Sequence, residues 1–470
     1  MREAAPQKHG GRFPAAMASE LIVERRAPLP VSPGDLFAWH ARPGALERLA
    51  PPWRRLEVLQ HAELADGSRA RLRIQAGPLD LLWTAEHQEV GPGGFLDLQV
   101  SGPFDRWAHR HGFEPAPGGG SVLHDRIVCE LPLGMRVGRE RVLRELEALL
   151  QYRHAVTAGD LALHAGYRGP PLHIAVSGAS GFLGSLLIPL LTTGGHRVTR
   201  LVRGTAREGE VRWDPAGAGL DPAALQGVDA VVHLAGENIA RRWTAERKRA
   251  MLESRAKGTR LLAEAIARSG SVKVLVAASA IGFYGERGDE QLDERSPSGR
   301  GFLPEVVRAW EAASEPAEAA GVRVVRLRIG LPLHPAGGVL ERMLPPFRLG
   351  LGGPLGNGRQ WMSWIGADDL LGAFHHALTR PDARGALNAV APEPVRNADF
   401  ARELGRVLRR PALLPVPAAA LRLLFGRMAD EAILASTRVT PAELQHAGFR
   451  FRHERLGAAL EHVLGRTRLA

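Results

Sequence analysis

The spacing of apolar positions divides the chain into two textures. Between residues 20 and 155, short runs that alternate apolar and polar side chains recur at 20–26, 56–64, 68–75, 79–90, 94–100, 107–114 and 121–131. A period of two is the mark of a half-buried strand. Turn residues such as Asp66-Gly67 and Gly118-Gly-Gly120 separate the runs. Two segments with a helical period interrupt them. One spans 32–49, with Ser32-Pro33 as a cap and first-turn signal. The other runs from 138 to about 150, apolar at Val142, Leu143, Leu146, Leu149 and Leu150. A helix, a set of strands and a long helix predict an antiparallel sheet curved around a helix.

From residue 173 the pattern changes. Strand-like runs rich in β-branched residues at 173–177, 196–203, 211–213, 230–234, 272–279 and 322–329 begin to alternate with helical segments at 182–191, 246–269 and 305–320. Strands that are apolar on both faces and alternate with helices predict a parallel, doubly wound α/β sheet. Past residue 332 the alternation loosens, and helices are predicted at 368–378, 397–407 and 419–428. The expected organisation is a leader at 1–17, a sheet-and-helix domain at 18–155 and a linker at 156–171 that closes on Arg168-Gly-Pro-Pro171. An α/β domain at 172–410 and a small C-terminal domain at 411–470 follow.

Composition narrows the function classes. The chain has 470 residues, 45% of them apolar and 24% charged, as in a globular protein with two or three sizeable cores. A single cysteine, Cys129, excludes an intrachain disulfide and fits a cytoplasmic location. The net charge of +11 invites a nucleic-acid reading. Of 61 basic residues only four are lysines, however, and the arginines are scattered rather than clustered on one element. No nucleic-acid partner is expected. The longest apolar run, 413–425, is broken by Pro415 and Pro417 and carries Arg422, so no membrane span is expected.

The candidate chemistry starts at the first strand of the α/β half. His173-Ile-Ala-Val-Ser177 is followed by glycines at Gly178, Gly181 and Gly184, and then by a helical segment. This strand–turn–helix context is the one in which three glycines cradle a dinucleotide. The first permits the tight turn, the second lets backbone approach a pyrophosphate, and the third lets helix pack on strand. The expected contacts in this loop are Gly178, Ser180, Gly181, Phe182, Leu183 and Gly184. The second strand ends at Arg203, where folds selective for NAD carry an acid for the ribose 2′-OH. A guanidinium suits a 2′-phosphate, so NADP(H) is the expected cofactor. The fourth strand ends at Leu234, and Ala235 and Gly236 just after it are small residues that let backbone pass under a ligand. Ser279, at the end of a later strand, can reach a substrate oxygen, and Tyr284 lies close behind it. In the N-terminal half, Trp107, His109, His111 and Phe113 alternate onto one strand face. Two histidines without a third ligand at a suitable spacing give no metal site, and hydrogen-bonded histidines lining a cavity are expected.

Several longer motifs carry a resemblance. They are Leu234-Ala-Gly-Glu-Asn-Ile239, Ser254-Arg255 with Gly258-Thr259, Leu344-Pro-Pro-Phe-Arg-Leu-Gly-Leu-Gly-Gly-Pro354, Gly358-Arg-Gln-Trp-Met-Ser-Trp-Ile365 with Asp368-Asp369, and Phe425-Gly-Arg-Met-Ala-Asp430. Through them residues 173–465 resemble the extended short-chain dehydrogenase/reductase superfamily, and within it an epimerase-like family with a short extra C-terminal domain. Residues 18–155 resemble START-like (SRPBCC) helix-grip domains, with Gly102-Pro-Phe-Asp-Arg-Trp-Ala-His-Arg-His-Gly-Phe113 as the most distinctive strand. The fold implied is an α/β Rossmann domain with a doubly wound parallel sheet, preceded by an α+β helix-grip domain that takes apolar ligands. The resemblance also implies that Arg255 faces the cofactor phosphates. It further implies that Ser279 is the superfamily's catalytic serine.

One departure matters. The superfamily's Tyr-x-x-x-Lys helix corresponds to Gly301-Phe-Leu-Pro-Glu-Val-Val-Arg-Ala-Trp-Glu311, where Leu303 and Val307 occupy the two positions. A phenol is tuned as an acid–base near neutrality by an adjacent cation, and this helix supplies neither group. Tyr284 or water is expected to complete the proton path. The resulting expectation is an NADP(H)-dependent oxidoreductase or sugar-epimerase-like protein acting on a small molecule. The alternatives are a nucleotide sensor without turnover and a hydrophobic-ligand carrier.

Overall fold

The computed structural model describes residues 20–76, 79–217, 219–237 and 243–467, so the expected leader lies outside the described residues. The chain forms two compact units. One comprises the described residues up to Gly34 together with Leu56–Leu150, and the other comprises Asp35–Arg55 with the described residues from Gln151 onward.

The first unit holds, among the described residues, a seven-stranded antiparallel sheet. Its strands are β1 (Glu20–Leu29), β2 (Leu56–Gln60), β3 (Arg69–Ala76), β4 (Leu79–Gly91), β5 (Gly94–Ser101), β6 (Arg106–Pro115) and β7 (Ser121–Glu130), in the order β1-β7-β6-β5-β4-β3-β2. Alternation sends one set of side chains to the buried face. On β6 these are Trp107, His109, His111 and Phe113, with Ala108 also buried. Leu146 and Leu150 pack with Leu21, Val23, Trp107, Ile127 and Cys129 to form this unit's core.

The second unit is built on a parallel sheet. Its strands are β8 (His173–Ser177), β9 (Arg197–Val202), β10 (Glu210–Arg212), β11 (Ala230–His233), β12 (Val274–Ala280), β13 (Arg323–Ile329) and β14 (Gly385–Ala389), ordered β10-β9-β8-β11-β12-β13-β14. Every neighbouring pair is parallel. The central strands β8, β11 and β12 are buried on both faces, as such strands require, whereas β9 and β10 are more exposed. Ile174, Val176, Val232, Val276 and Val325 enter one core, while Ala175, Val231, Leu275 and Val324 enter the other. The strand order reverses between β8 and β11, which opens a crevice at their carboxyl ends.

Several sequence expectations are corrected. The helix expected at 32–49 is two helices, α1 (Pro33–Ala41) and α2 (Ala45–Leu49), because Gly44 takes a φ of +97° between them. The helix expected to end near 150 is α3 (Arg139–Ala165), so much of the expected linker is helical. Strand β14 was not anticipated. The reason α2 and the end of α3 belong to the second unit is a buried ion network. Arg48 donates from Nε to Asp160 (2.7 Å) and from Nη2 to both Asp160 and Asp368 (2.8 Å each). Arg452 reaches Asp160 at 3.0 Å, and His462 Nε2 shares a hydrogen bond with Asp368 at 3.0 Å. Charges scattered over 400 residues thus meet in one place, which no local pattern reveals. Among the described residues, no helix is long and apolar enough to cross a membrane.

Candidate functional site

The crevice is shaped by the three glycines. Gly178 follows β8 with a φ of +69°, and a Cβ there would lie 2.8 Å from the Leu234 carbonyl carbon and 2.9 Å from the Ala235 nitrogen. Gly184 sits in the first turn of α4 (Phe182–Thr193), where a Cβ would fall 2.4 Å from the Gly178 oxygen and 2.6 Å from that of Ala179. These two glycines are needed for turn and packing. A Cβ on Gly181 would meet only the Gly178 oxygen, at 3.1 Å, within its surroundings. Its other directions are open. Helix α4 begins with no side-chain cap and no acidic residue in its first turn. Its first N–H groups and its dipole therefore favour an anion. Ser180 is exposed at the turn, and Leu183 is half-buried. Phe182 stacks toward His334 with ring centroids 5.3 Å apart.

Two arginines flank this cradle. Arg203 follows β9 and is exposed. Arg255 lies on α5 (Ala245–Ser269) and is buried. It donates to the Glu237 carbonyl at 2.8 Å and sits 4.9 Å from the Trp310 ring centroid. A Cβ on Gly236 would come within 3.3 Å of its guanidinium. Burial pulls its pKa down to about 10. A cation bonded to the Met251 and Glu237 carbonyls and set against an aromatic face, beside the end of β11, is placed to meet an anion.

At the end of β12, Ser279 Oγ donates to Glu311 Oε1 at 2.6 Å. Glu311 lies on α6 (Phe302–Ala312) and is clamped by Arg328 of β13 through two bonds, 2.8 Å to Oε1 and 2.9 Å to Oε2. Ser279 and Arg328 are register partners on adjacent strands. Arg328 Nη1 also donates to Tyr284 Oη at 3.0 Å, and Tyr284 donates to Asn388 Oδ1 at 2.7 Å. Tyr284 is fully buried with Leu292, Val390 and Val439. Burial pushes its hydroxyl up to about 12, although Arg328 opposes the shift. This placement does not favour an acid–base phenol, because its oxygen is bonded on both sides inside the fold, by Arg328 and by Asn388. Sequence reasoning missed Glu311 and Arg328. The signal was present, because Leu303, Val307 and Glu311 are spaced by four and share one helix face.

Comparisons with known proteins bear on the family and the fold. Residues 174–390 match the NAD dependent epimerase/dehydratase family, 416–463 match a domain of unknown function, and 29–148 match the polyketide cyclase / dehydrase and lipid transport family. An epimerase family protein of Mycobacterium tuberculosis is 43% identical over 295 residues, 62% of this chain and 98% of its own length. The chain belongs to the epimerase family. The human epimerase family protein SDR39U1 is 38% identical over 299 residues, 62% of this chain and 100% of its own length. A crystal structure of human SDR39U1 with NADPH covers 63% of this chain and 100% of its own, at 36% identity and a TM-score of 0.58. A Corynebacterium glutamicum structure described as a nucleoside-diphosphate sugar epimerase covers 95% of this chain and 91% of its own, at 34% identity and a TM-score of 0.79.

Within this epimerase-family fold, the two positions of the missing Tyr-x-x-x-Lys pair are filled by packing. Leu303 and Val307 are buried, and both approach Gly282 closely enough that a Cβ there would touch them at 3.6 and 3.8 Å. The two tryptophans of the Gly358–Ile365 motif are likewise engaged by protein groups. Trp364 is fully buried and donates to the Glu393 carbonyl, whereas Trp361 donates to Asp289 and stacks against Arg396 and Arg438. An open hollow of about 480 Å³ lies instead at the start of α6, lined by Lys248, Arg300, Phe302, Arg308 and Arg427 against Glu305.

Proposed function

We propose that this chain binds NADP(H) in the crevice between β8 and β11 and acts as an oxidoreductase on a small anionic molecule. The observation that carries the reading is the glycine cradle at an uncapped helix start, flanked by Arg203 and the buried Arg255. The NADPH-bound human relative supports the choice of cofactor. Gly178, Ser180, Gly181, Phe182, Leu183 and Gly184 would hold the pyrophosphate loop, with Leu234, Ala235 and Gly236 beneath. When bound, the nicotinamide supplies or accepts a hydride. Ser279 orients the substrate oxygen, and Glu311, held in place by Arg328, takes or returns the proton through the Ser279 hydroxyl. The four cations of the hollow at α6 favour a substrate bearing phosphate or carboxylate. The first unit is proposed to bind an apolar ligand, in keeping with its family match and its Trp83, Phe104 and Trp107 cluster.

A second reading, a nucleotide sensor without turnover, is favoured by the burial of Tyr284 and by Leu303 and Val307 at the relay positions. Single-turnover oxidation of bound NADPH by phosphorylated or carboxylated carbonyl compounds separates the two. The oxidoreductase reading expects Glu311→Gln to slow that step by about 100-fold, within the range of general acid–base assistance. It expects Tyr284→Phe to leave the rate within about threefold while lowering stability by about 1–3 kcal/mol, since Arg328 and Asn388 lose a partner. Tight NADPH binding with no oxidation by any of these compounds would leave the sensor reading standing.

Cofactor choice is tested separately. Arg203→Asp should weaken NADPH binding by about 1.5–3 kcal/mol while leaving NADH nearly unchanged, because a charge-assisted bond to the 2′-phosphate is lost. Calorimetry showing equal losses for both nucleotides would remove Arg203 from the site.

A further inference from the structure

The buried face of the first unit's sheet carries a polar cluster that the Rossmann chemistry does not use. Register creates it. His87, Asp97 and His109 are lateral neighbours across β4, β5 and β6, and His111 and Asp125 are neighbours across β6 and β7, two residues further along β6. Because side chains alternate, all five fall on one face. His109, His111 and Asp125 are almost wholly buried, among Phe95, Phe113 and Ile127. The His109 and His111 rings lie 3.9 Å apart, centroid to centroid.

We propose that Asp97, His109 and His111 bind a divalent first-row transition-metal ion. One ligand atom from each of the three lies within 4.8 Å of the others. Two imidazoles and a carboxylate form a donor set suited to zinc or iron(II), and three protein ligands leave a position open to water or substrate. Spacing along β6 alone stops at two ligands, and the sheet brings the third from β5.

The orientation of the donors supports the assignment. Asp125 Oδ1 lies 2.9 Å from His109 Nε2 and 2.7 Å from His111 Nδ1. One carboxylate thus grips a nitrogen of each ring, the outer-shell arrangement that orients metal-bound histidines through their other nitrogen. His87 Nδ1 holds Asp97 Oδ1 at 2.6 Å in the same way. The remaining Asp97 oxygen, Oδ2, stands 3.5 Å from His111 Nε2. That is too long for a good hydrogen bond. It is close to the roughly 3.4 Å separating two ligands of a tetrahedral ion with bonds of about 2.1 Å. The pair is therefore spaced for an ion between them.

The test uses the full chain, freed of metal with a chelator and titrated with cobalt(II), with zinc(II) as competitor. The expected result is one equivalent of cobalt(II) giving visible d–d absorption that zinc(II) abolishes. Asp97→Asn, at a side chain that is 23% exposed, should weaken binding at least tenfold, and His111→Gln should do the same. Unfolding curves for each variant show whether the fold survives. No saturable cobalt(II) or zinc(II) binding, or binding undiminished in folded Asp97→Asn, would overturn the proposal and leave a purely hydrogen-bonded chain of histidines and aspartates.

Discussion

Replacing Arg48 with alanine is expected to lower the stability of the second unit by about 3–5 kcal/mol, because it leaves buried carboxylates without their partner. Arg48 is 5% exposed, Asp160 0% and Asp368 8%. The guanidinium bonds Asp160 through two nitrogens and Asp368 through one. Arg48→Lys should recover only part of the loss, since an ammonium cannot reproduce that fork. Acid titration provides a second check. Burial raises the Asp368 carboxyl, but Arg48, His462 and Arg452 outweigh it and hold the group well below the usual carboxylate range. Its contribution is then present above the unfolded value of about 3.9 and is lost as pH falls below it toward the folded value. In Arg48→Ala the folded value rises, so the acid-side slope of stability should flatten. Chemical denaturation of the full chain at several pH values measures both effects. A loss below about 1 kcal/mol would mean that Arg452 and His462 suffice for the two aspartates.

The second large effect is expected at Gly181. Gly181→Val should reduce NADPH affinity by about 100-fold or more, equivalent to about 2.7 kcal/mol, with the fold retained. The argument is geometric. At Gly178 and Gly184 a Cβ collides with backbone at 2.4–2.8 Å, so substitution there damages the turn itself. At Gly181 the nearest atom is 3.1 Å away and the other directions are open, so the branched side chain enters the space proposed for the pyrophosphate. Calorimetric titration with NADPH, alongside thermal unfolding, distinguishes loss of a ligand site from loss of structure. Unchanged affinity in a folded Gly181→Val protein would exclude this loop as the nucleotide site.

The patterns along the chain determined a great deal. Period-two runs marked six of the seven strands in the first sheet to within a few residues, and the seventh, β2, with its end overrun by four. Runs rich in β-branched residues, alternating with helical segments, marked six of the seven in the second. Strand periodicity and glycine placement are local properties, set by backbone sterics and by which faces are buried. The strand–glycine–helix turn at 173–184 was legible for the same reason, since every group that shapes it lies within a dozen residues or at the neighbouring strand end.

What only the tertiary structure decided were the long-range polar partnerships. Glu311 has no assigned role in the sequence until Arg328, on a strand separated from it in sequence, clamps it beside Ser279. Tyr284 reads as a candidate acid until the fold buries its hydroxyl between Arg328 and Asn388. Residues 156–165 read as linker until Arg48 and Arg452 close on Asp160. Asp97 joins His109 and His111 only through strand register. A buried charge is stable only beside its partner, and the partner's position in sequence is unconstrained. Local pattern therefore carries the scaffold, while the identity of each polar cluster is set by which strands and helices the folded chain brings together.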